Sequence, residues 1–107
     1  MNPRPVILRQ RAHQDVEATI RYLATEASPQ VATRFIDALE QATIHLSHYP
    51  ASGSLRLAFA LDLPGLRVWP IRDWPYLVFY VAREDHIDVW RVLHGQRDIP
   101  ESLQSVS

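Results

Sequence analysis

The first half of the chain spaces its apolar residues as on the buried side of two helices. Between Ala12 and Ala27 they recur every three or four positions, at Val16, Ile20, Leu23, Ala24 and Ala27. Ser28 can cap a following helix and Pro29 suits its first position, so this pair marks a boundary. A second helix is predicted from Pro29 to about Tyr49, with a stripe made of Val31, Phe35, Leu39, Ala42, Leu46 and Tyr49. Two amphipathic helices joined so closely are expected to form an antiparallel hairpin.

The remaining segments alternate apolar and polar residues with the period of two that is typical of strands. A β-branched run from Arg4 to Gln10 predicts a first strand before the helices. After them, apolar residues at every odd position predict a strand or extended segment from Leu55 to Leu63. Turn residues then separate three more predicted strands, which cover Leu66–Arg72, Tyr76–Arg83 and Ile87–His94.

The last predicted strand delivers polar groups to one end of the sheet. Strict alternation places one row on one face, namely Ile87, Val89 and Leu93, with the charged Arg91 in register with it. The other row is Asp88, Trp90, Val92 and His94. The strand ends at His94-Gly95, and two further ionisable residues follow closely, Arg97 and Asp98.

This order of elements predicts an α+β fold, β-α-α-β-β-β(-β). A helical hairpin must bury its apolar face on one side of the sheet, which gives two layers, with the N-terminal strand and the hairpin packed on an antiparallel sheet. The chain has 107 residues, 47% of them hydrophobic, which is enough for a single domain over 1–107. The segment 99–107 is expected to be a frayed tail.

The charge balance argues against a protein that grips nucleic acid directly. Eleven arginines and no lysine stand against twelve acids, for a net charge of −1, whereas binding to phosphate backbones normally requires a basic excess. No apolar run approaches the ~20 residues of a membrane span, and the start lacks a signal-peptide core. There are no cysteines. A cytoplasmic protein without membrane contact is predicted.

The polar residues at the strand ends permit two interpretations. His94, Arg97 and Asp98, with Arg67, Arg72 and Arg91 on neighbouring strands, could supply the base, acid and cations that RNA cleavage needs. Alternatively Asp98 pairs with an arginine and pins the tail, while His94 is a half-buried strand-end residue. The residues alone favour the structural alternative.

Other kinds of site find little support in the sequence. His45 and His48 lie three apart on a helix, but no third ligand of fitting spacing accompanies them, so no metal is predicted. The three glycines are isolated and form no phosphate-binding loop, so no cofactor is predicted. Ile36 and Ile44 lie off the main stripe of the second helix, where they serve either ordinary packing or a partner surface.

Taken together, these segments resemble the ParE/RelE superfamily of toxins from bacterial toxin–antitoxin pairs, and the ParE branch most. The resemblance rests on three stretches: Ala32-x-Arg34-Phe35 with Leu39, Leu46, Pro50 and Gly53; Pro64-Gly65-Leu66-Arg67 with Pro70 and Tyr76-x-Val78-Phe79-Tyr80; and Arg91 to Asp98. The last stretch is the most specific. The start of the first helix departs from the pattern, with Arg9 and Gln10 in place of a Ser-Pro type cap.

The resemblance implies one of two activities. RelE-like members are implied to cut mRNA on the ribosome, and ParE-like members to poison DNA gyrase without chemistry of their own. When the matching segments are aligned, the strand arginine of the ribonucleases falls on Leu77, their paired lysines on Val68 and Pro70, and their late tyrosine on Leu103. Only Arg97 matches, so cleavage by the RelE route is not supported.

The resemblance therefore implies a toxin that inhibits DNA gyrase by protein contact and is neutralised by a ParD-like antitoxin of the ribbon-helix-helix class. The alternative is a RelE-like, ribosome-dependent mRNA endonuclease with a non-standard site. Candidate contacts with the target are Arg67, Arg91, His94, Arg97 and Asp98. Candidate contacts with the antitoxin are Ile36, Ile44, Leu55, Leu57 and Phe59.

Overall fold

The computed structural model describes residues 2–95, so Arg97, Asp98 and Leu103 lie outside the described part. Its strands are β1 (Val6–Leu8), β2 (Leu66–Pro70), β3 (Tyr76–Ala82) and β4 (Ile87–His94). Its helices are α1 (Gln10–Glu26), α2 (Pro29–His48), a 3₁₀ turn (Pro50–Ser52) and α3 (Arg56–Ala60). The four strands form one sheet in the order β1-β4-β3-β2. The predicted α+β class is confirmed.

The helical hairpin begins and ends close to the predicted positions. The Ser28 hydroxyl accepts a hydrogen bond from the backbone N–H of Val31 at 3.1 Å, and Pro29 occupies the first helical position of α2. The cap satisfies one of the N–H groups that every helix start leaves without an intrahelical partner. The hairpin buries Leu23, Phe35 and Leu46 against one face of the sheet.

Most strand pairs are antiparallel, and the N-terminal strand is the exception. β2–β3 and β3–β4 are antiparallel, whereas β1 lies parallel to β4, with Ile7 opposite Asp88. The whole helical hairpin and two strands separate β1 from β4 in sequence, and a connection of that length is what a parallel pair requires. β1 and β2 are the two edges of the sheet.

The prediction of an extended segment from Leu55 to Leu63 is wrong. The chain forms the short helix α3 there, packed on the sheet face opposite the hairpin in a second core cluster with Leu66, Phe79 and Leu93. The Ser54 hydroxyl accepts a hydrogen bond from the backbone N–H of Arg56 at 3.1 Å, just before the helix. Asp62 then takes a positive φ of 53° and ends it. Alanines at 58 and 60 favour a helix over a strand.

The two rows predicted for β4 are also wrong beyond Trp90. Phe79 pairs with Arg91 and Tyr80 pairs with Val89, so Trp90 is the extra residue of a β-bulge. The bulge shifts the alternation by one position. Val92 consequently joins Ile87 and Val89 in the hairpin-side core, and Leu93 joins the second cluster. Arg91 is thereby removed from the apolar row.

Candidate functional site

A shallow groove lies on the sheet face that α3 covers only in part. We call it the sheet-face groove. It measures about 250 Å³ and is lined by Ser54, Arg56, Leu57, Val68, Pro70 and Leu77. Val68 pairs with Phe79 and Pro70 with Leu77, which brings β2 and β3 side by side along its floor. The surface is mostly apolar, with Arg56 as its charged residue.

This groove collects three of the positions that matter for ribonuclease chemistry in the resemblance. Leu77, Val68 and Pro70 all line it. Transfer of a proton needs a titratable group, and stabilisation of a phosphorane needs cationic or hydrogen-bonding groups. Leucine, valine and proline side chains supply neither. The structure thus brings the three positions together without the functional groups of a catalytic site.

A second groove, which we call the helix-side groove, runs between α2 and the edge strand β2. It measures about 550 Å³ and is lined by Ala38, Gln41, Ala42, His45, Trp69, Pro70, Arg72 and Asp73. The His45 ring stacks on Trp69 with centroids 4.6 Å apart and planes 11° apart. His45 Nε2 also lies 2.9 Å from the Ser52 hydroxyl, so its ring is fixed from two sides.

Pro70 lines both grooves and therefore joins them at the end of β2. Because proline has no N–H, it is suited to the edge of a sheet. The backbone of β2 is partly covered at this edge, since Ser54 and Val68 exchange two hydrogen bonds of 3.0 Å. The end of β2 therefore offers a route by which a partner segment can pass from α2 to the α3 side.

Tyr80 and Arg67 fix the segment that follows α2. The Tyr80 hydroxyl donates to the carbonyl of Pro50 and accepts from the N–H of Gly53, both at 2.8 Å. Burial raises the pKa of Tyr80 above its ordinary value of 10.0, against smaller lowering effects of Gly53 and Arg67. Arg67 Nη1 donates to the carbonyls of Ala51 and Gly53 at 3.1 and 2.8 Å.

Arg91, a predicted target contact, is almost entirely buried. Its Nε and Nη2 donate to the two carboxylate oxygens of Asp15 in α1 at 2.7 and 2.8 Å. The same carboxylate accepts the backbone N–H of Val92 at 3.1 Å. β1 stops pairing at Val89, so Asp15 takes its place along the next part of β4.

Two of the polar residues that could serve catalysis, His94 and Arg67, lie far apart in the described part of the chain. His94 packs edge-on against Tyr76 with ring centroids 5.4 Å apart. Arg67 lies opposite Tyr80, four residues further along β3. At ~3.3 Å per residue this is a separation of about 13 Å along the strand. Within residues 2–95, Arg67 donates to the carbonyls of Ala51 and Gly53, Arg91 donates to Asp15, and His94 packs on Tyr76.

Within the described part of the chain, no cluster of three or more histidine, cysteine or acidic residues could hold a metal. No helix of residues 2–95 has both the length and the apolar character that crossing a membrane requires.

Comparison with known proteins identifies the family. The profile described as "ParE toxin of type II toxin-antitoxin system, parDE" matches residues 6–99. The chain belongs to the ParE toxin family. A solved structure titled "Chromosomal ParDE TA system from P. aeruginosa" has a similar fold, with a TM-score of 0.71 and 15% identity over 85% of this chain and 95% of that one. No curated protein sequence matches.

For a ParE toxin, the predicted antitoxin contacts lie on two sides of the sheet. Ile36 and Ile44 are 40% and 46% exposed on α2, and Phe59 is 84% exposed on α3. Leu55 and Leu57 are half-buried in the second core cluster. A single partner segment must therefore wrap around the molecule to touch the whole set.

Sequence reasoning did not predict the helix-side groove, although it named four of its lining residues for other reasons, namely Ala42, His45, Pro70 and Arg72. His45 was considered only as a metal ligand, although its ring stacks on Trp69. A weak signal exists, because a tryptophan followed by proline near a strand end is typical of an exposed sheet edge. Arg9 and Arg83 were missed as well, and both bind Asp88.

Proposed function

We propose that this ParE toxin inhibits DNA gyrase through protein–protein contact in the cytoplasm, without chemistry of its own and without direct binding to DNA. The observation that supports this most strongly is the apolar sheet-face groove. In the ribonuclease branch its positions are implied to hold catalytic residues, and here they are Leu77, Val68 and Pro70. The net charge of −1 also fits poorly with docking on ribosomal RNA.

We further propose that a ParD-like antitoxin of the ribbon-helix-helix class neutralises the toxin. Two grooves that meet at Pro70 offer a path from α2, around the edge strand, to the face that carries α3. Exposed apolar side chains flank both ends of this path, with Ile44 on α2 and Phe59 on α3. A tail that follows it covers apolar surface on both layers, which is consistent with the predicted antitoxin contacts.

The target can be tested with purified components. Toxin is added to gyrase, relaxed plasmid and ATP, and supercoiling and cleaved DNA are measured on gels. We expect loss of supercoiling and accumulation of cleaved DNA, both reversed by antitoxin. In cells, induction should cause filamentation and DNA damage signalling while translation is initially spared.

The same induction experiment separates this proposal from the ribonuclease alternative. A rapid stop in protein synthesis with cleaved mRNA, and unchanged gyrase activity in the purified assay, would overturn it. An absence of any growth defect would indicate a relative that keeps the fold and the antitoxin contact but has lost toxicity.

A further inference from the structure

Two arginines share one carboxylate on the sheet face opposite the hairpin. Arg9 Nε and Nη2 donate to Oδ1 and Oδ2 of Asp88, each at 3.0 Å. Arg83 Nε and Nη2 both donate to Oδ2, at 3.2 and 3.1 Å. Trp90 Nε1 donates to the same oxygen at 3.2 Å. Asp88 is only 8% exposed and accepts five hydrogen bonds.

The second ion pair of β4 is more deeply buried. Arg91 donates two hydrogen bonds to Asp15, and their side chains are 8% and 13% exposed. At Asp88 two guanidinium groups meet one carboxylate, which leaves a net charge of +1. Their side chains are 43% and 45% exposed. One arginine would suffice to neutralise Asp88, so the second one is in excess of the structural need.

The exposed edges of these guanidinium groups are held in fixed positions. Arg9 lies 4.6 Å over the ring of Trp90, and both arginines are tied to Asp88 through Nε and Nη2. Nη1 of each forms no hydrogen bond within residues 2–95. The carbonyl of Arg83 also accepts a hydrogen bond from Arg4 Nη1 at 2.8 Å. Little conformational entropy remains to be lost when an anion binds, which favours affinity.

We propose that Arg9 and Arg83 form a carboxylate-binding subsite for an aspartate or glutamate of an acidic, partly apolar segment of a protein partner. This rests on the proposed function in one respect, namely that the partner is the antitoxin. Ile7 lies beside Asp88 in the parallel pair and is 54% exposed, so the anion site borders an apolar contact. Guanidinium groups bind carboxylates through paired, charge-assisted hydrogen bonds.

The surroundings favour a peptide carboxylate over the phosphates of nucleic acid. The turn that follows Arg83 carries two acids, Glu84 and Asp85, and the whole chain has a net charge of −1. These acids repel a polyanion more strongly than a single carboxylate, and a peptide can also place an apolar side chain on the exposed Ile7. A DNA duplex is therefore the contrasting probe.

A peptide titration tests the subsite without any antitoxin. The probe is acetyl-Leu-Glu-Leu-Glu-Gly-amide, its twin has glutamine for glutamate, and the third ligand is a short DNA duplex. Binding is followed by NMR on the arginine Nε–Hε signals of the intact chain. We expect the acidic peptide to shift the signals of Arg9 and Arg83 and to bind about tenfold more tightly than its neutral twin.

Variants make the assignment specific. Arg83→Gln keeps the paired contact between Arg9 and Asp88, so the fold is expected to survive, and binding of the peptide should weaken about tenfold. Arg21→Gln removes the same charge from an exposed position of α1 and should leave binding unchanged. Equal binding of the neutral twin, equal loss in both variants, or a preference for the duplex would overturn the proposal.

A second arm uses the antitoxin and separates the two proposals. If antitoxin binds the native chain and Arg83→Gln weakens it about tenfold, more so at low salt, the subsite belongs to that interface. If antitoxin binds both chains equally, the assignment of this partner is overturned while the proposed function stands. If antitoxin binds neither chain, the antitoxin half of the proposed function fails, and the peptide titration still decides whether the carboxylate subsite exists.

Discussion

Arg91 Nε donates to Asp15 Oδ2 at 2.7 Å, although the two residues lie 76 positions apart in the chain. The pair joins α1 to β4 at the point where β1 no longer covers the edge of β4. Both side chains are nearly inaccessible to water. A charge in that position would be costly without its partner, because removal from water is not compensated.

Replacement of Asp15 by alanine is expected to lower the free energy of unfolding by about 3 kcal/mol, because it takes two hydrogen bonds and a neutralising carboxylate from the buried guanidinium group of Arg91. The measurement is urea denaturation at neutral pH. The double variant Asp15→Leu/Arg91→Met should lose less unfolding free energy than the single variant, since it removes both charges. A single variant as stable as the native chain would show that the pair is solvated.

Tyr80→Phe removes a hydroxyl that makes two hydrogen bonds to the segment after α2. The expected loss is about 1–3 kcal/mol, because the carbonyl of Pro50 and the N–H of Gly53 lose their partner. The pKa of Tyr80 is raised by burial. The folded state therefore keeps its proton at pH values where the unfolded chain has lost it.

Because the pKa of Tyr80 is raised in the folded state, the fold is expected to lose stability at alkaline pH. The contribution of the Tyr80 hydroxyl to the free energy of unfolding is fully present below pH ~10. It is lost as the pH rises toward the pKa that Tyr80 has in the folded state. Unfolding free energies measured from pH 8 to 11 should therefore fall more steeply for the native chain than for Tyr80→Phe. Parallel curves would contradict the burial of this hydroxyl.

Gly53→Ala is expected to destabilise the fold by about 1–3 kcal/mol. An added Cβ would lie 2.8 Å from the Tyr80 ring and 2.9 Å from Cβ of Arg67, which is too close for either neighbour. Gly95→Ala is the matched control, because its nearest atoms are 3.5 Å away. Thermal unfolding of the two variants should differ by several degrees; equal melting temperatures would contradict the close packing.

The elements that depend on residues close together in the sequence were predicted correctly, whereas those that depend on contacts between distant residues were not. α1 and α2 were predicted within a few residues because their periodicity and the Ser28 cap are local signals. α3 was missed because apolar residues at every second position imitate a strand, and only Ser54 and Asp62 mark its ends. The bulge at Trp90 has no local signal.

The same reason limits prediction of the candidate sites. Arg91 was placed among surface contacts because its partner Asp15 is 76 positions away in the chain. Arg9 and Asp88 are 79 positions apart, so their paired contact was not visible either. The family resemblance singled out Leu77, Val68 and Pro70, which line one groove in the structure, since it carries information about the fold that local patterns lack.

Asp88→Asn should change how the free energy of unfolding depends on pH under acidic conditions. Burial raises the pKa of Asp88, but hydrogen bonds from Arg9, Trp90 and Arg83 outweigh it and hold the pKa below the ordinary value of 3.8. The contribution of this carboxylate is present above pH ~4 and is lost as the pH falls through the folded pKa. The difference in unfolding free energy between the native chain and Asp88→Asn, measured by urea denaturation, should therefore become smaller below pH 4.

Asp37→Asn serves as the control for that experiment, because Asp37 is exposed on α2. The unfolding free energy of Asp37→Asn should differ from that of the native chain by the same amount at every pH in the experiment. If the difference in unfolding free energy between Asp88→Asn and the native chain does not change with pH, the charge of Asp88 contributes little to stability. The asparagine would then keep the stabilising hydrogen bonds of the carboxylate.

The antitoxin path can be tested at both of its ends. Ile36→Asp and Ile44→Asp place a charge on α2, and Phe59→Asp places one on α3, all at positions that are 40% exposed or more. If the antitoxin buries these side chains, each change should weaken binding by roughly 1.5–3 kcal/mol, the cost of losing one large apolar contact. Isothermal titration with a ParD-like antitoxin measures the effect. Thr25→Asp, exposed on α1, should bind normally, and normal binding by all three variants would exclude this path.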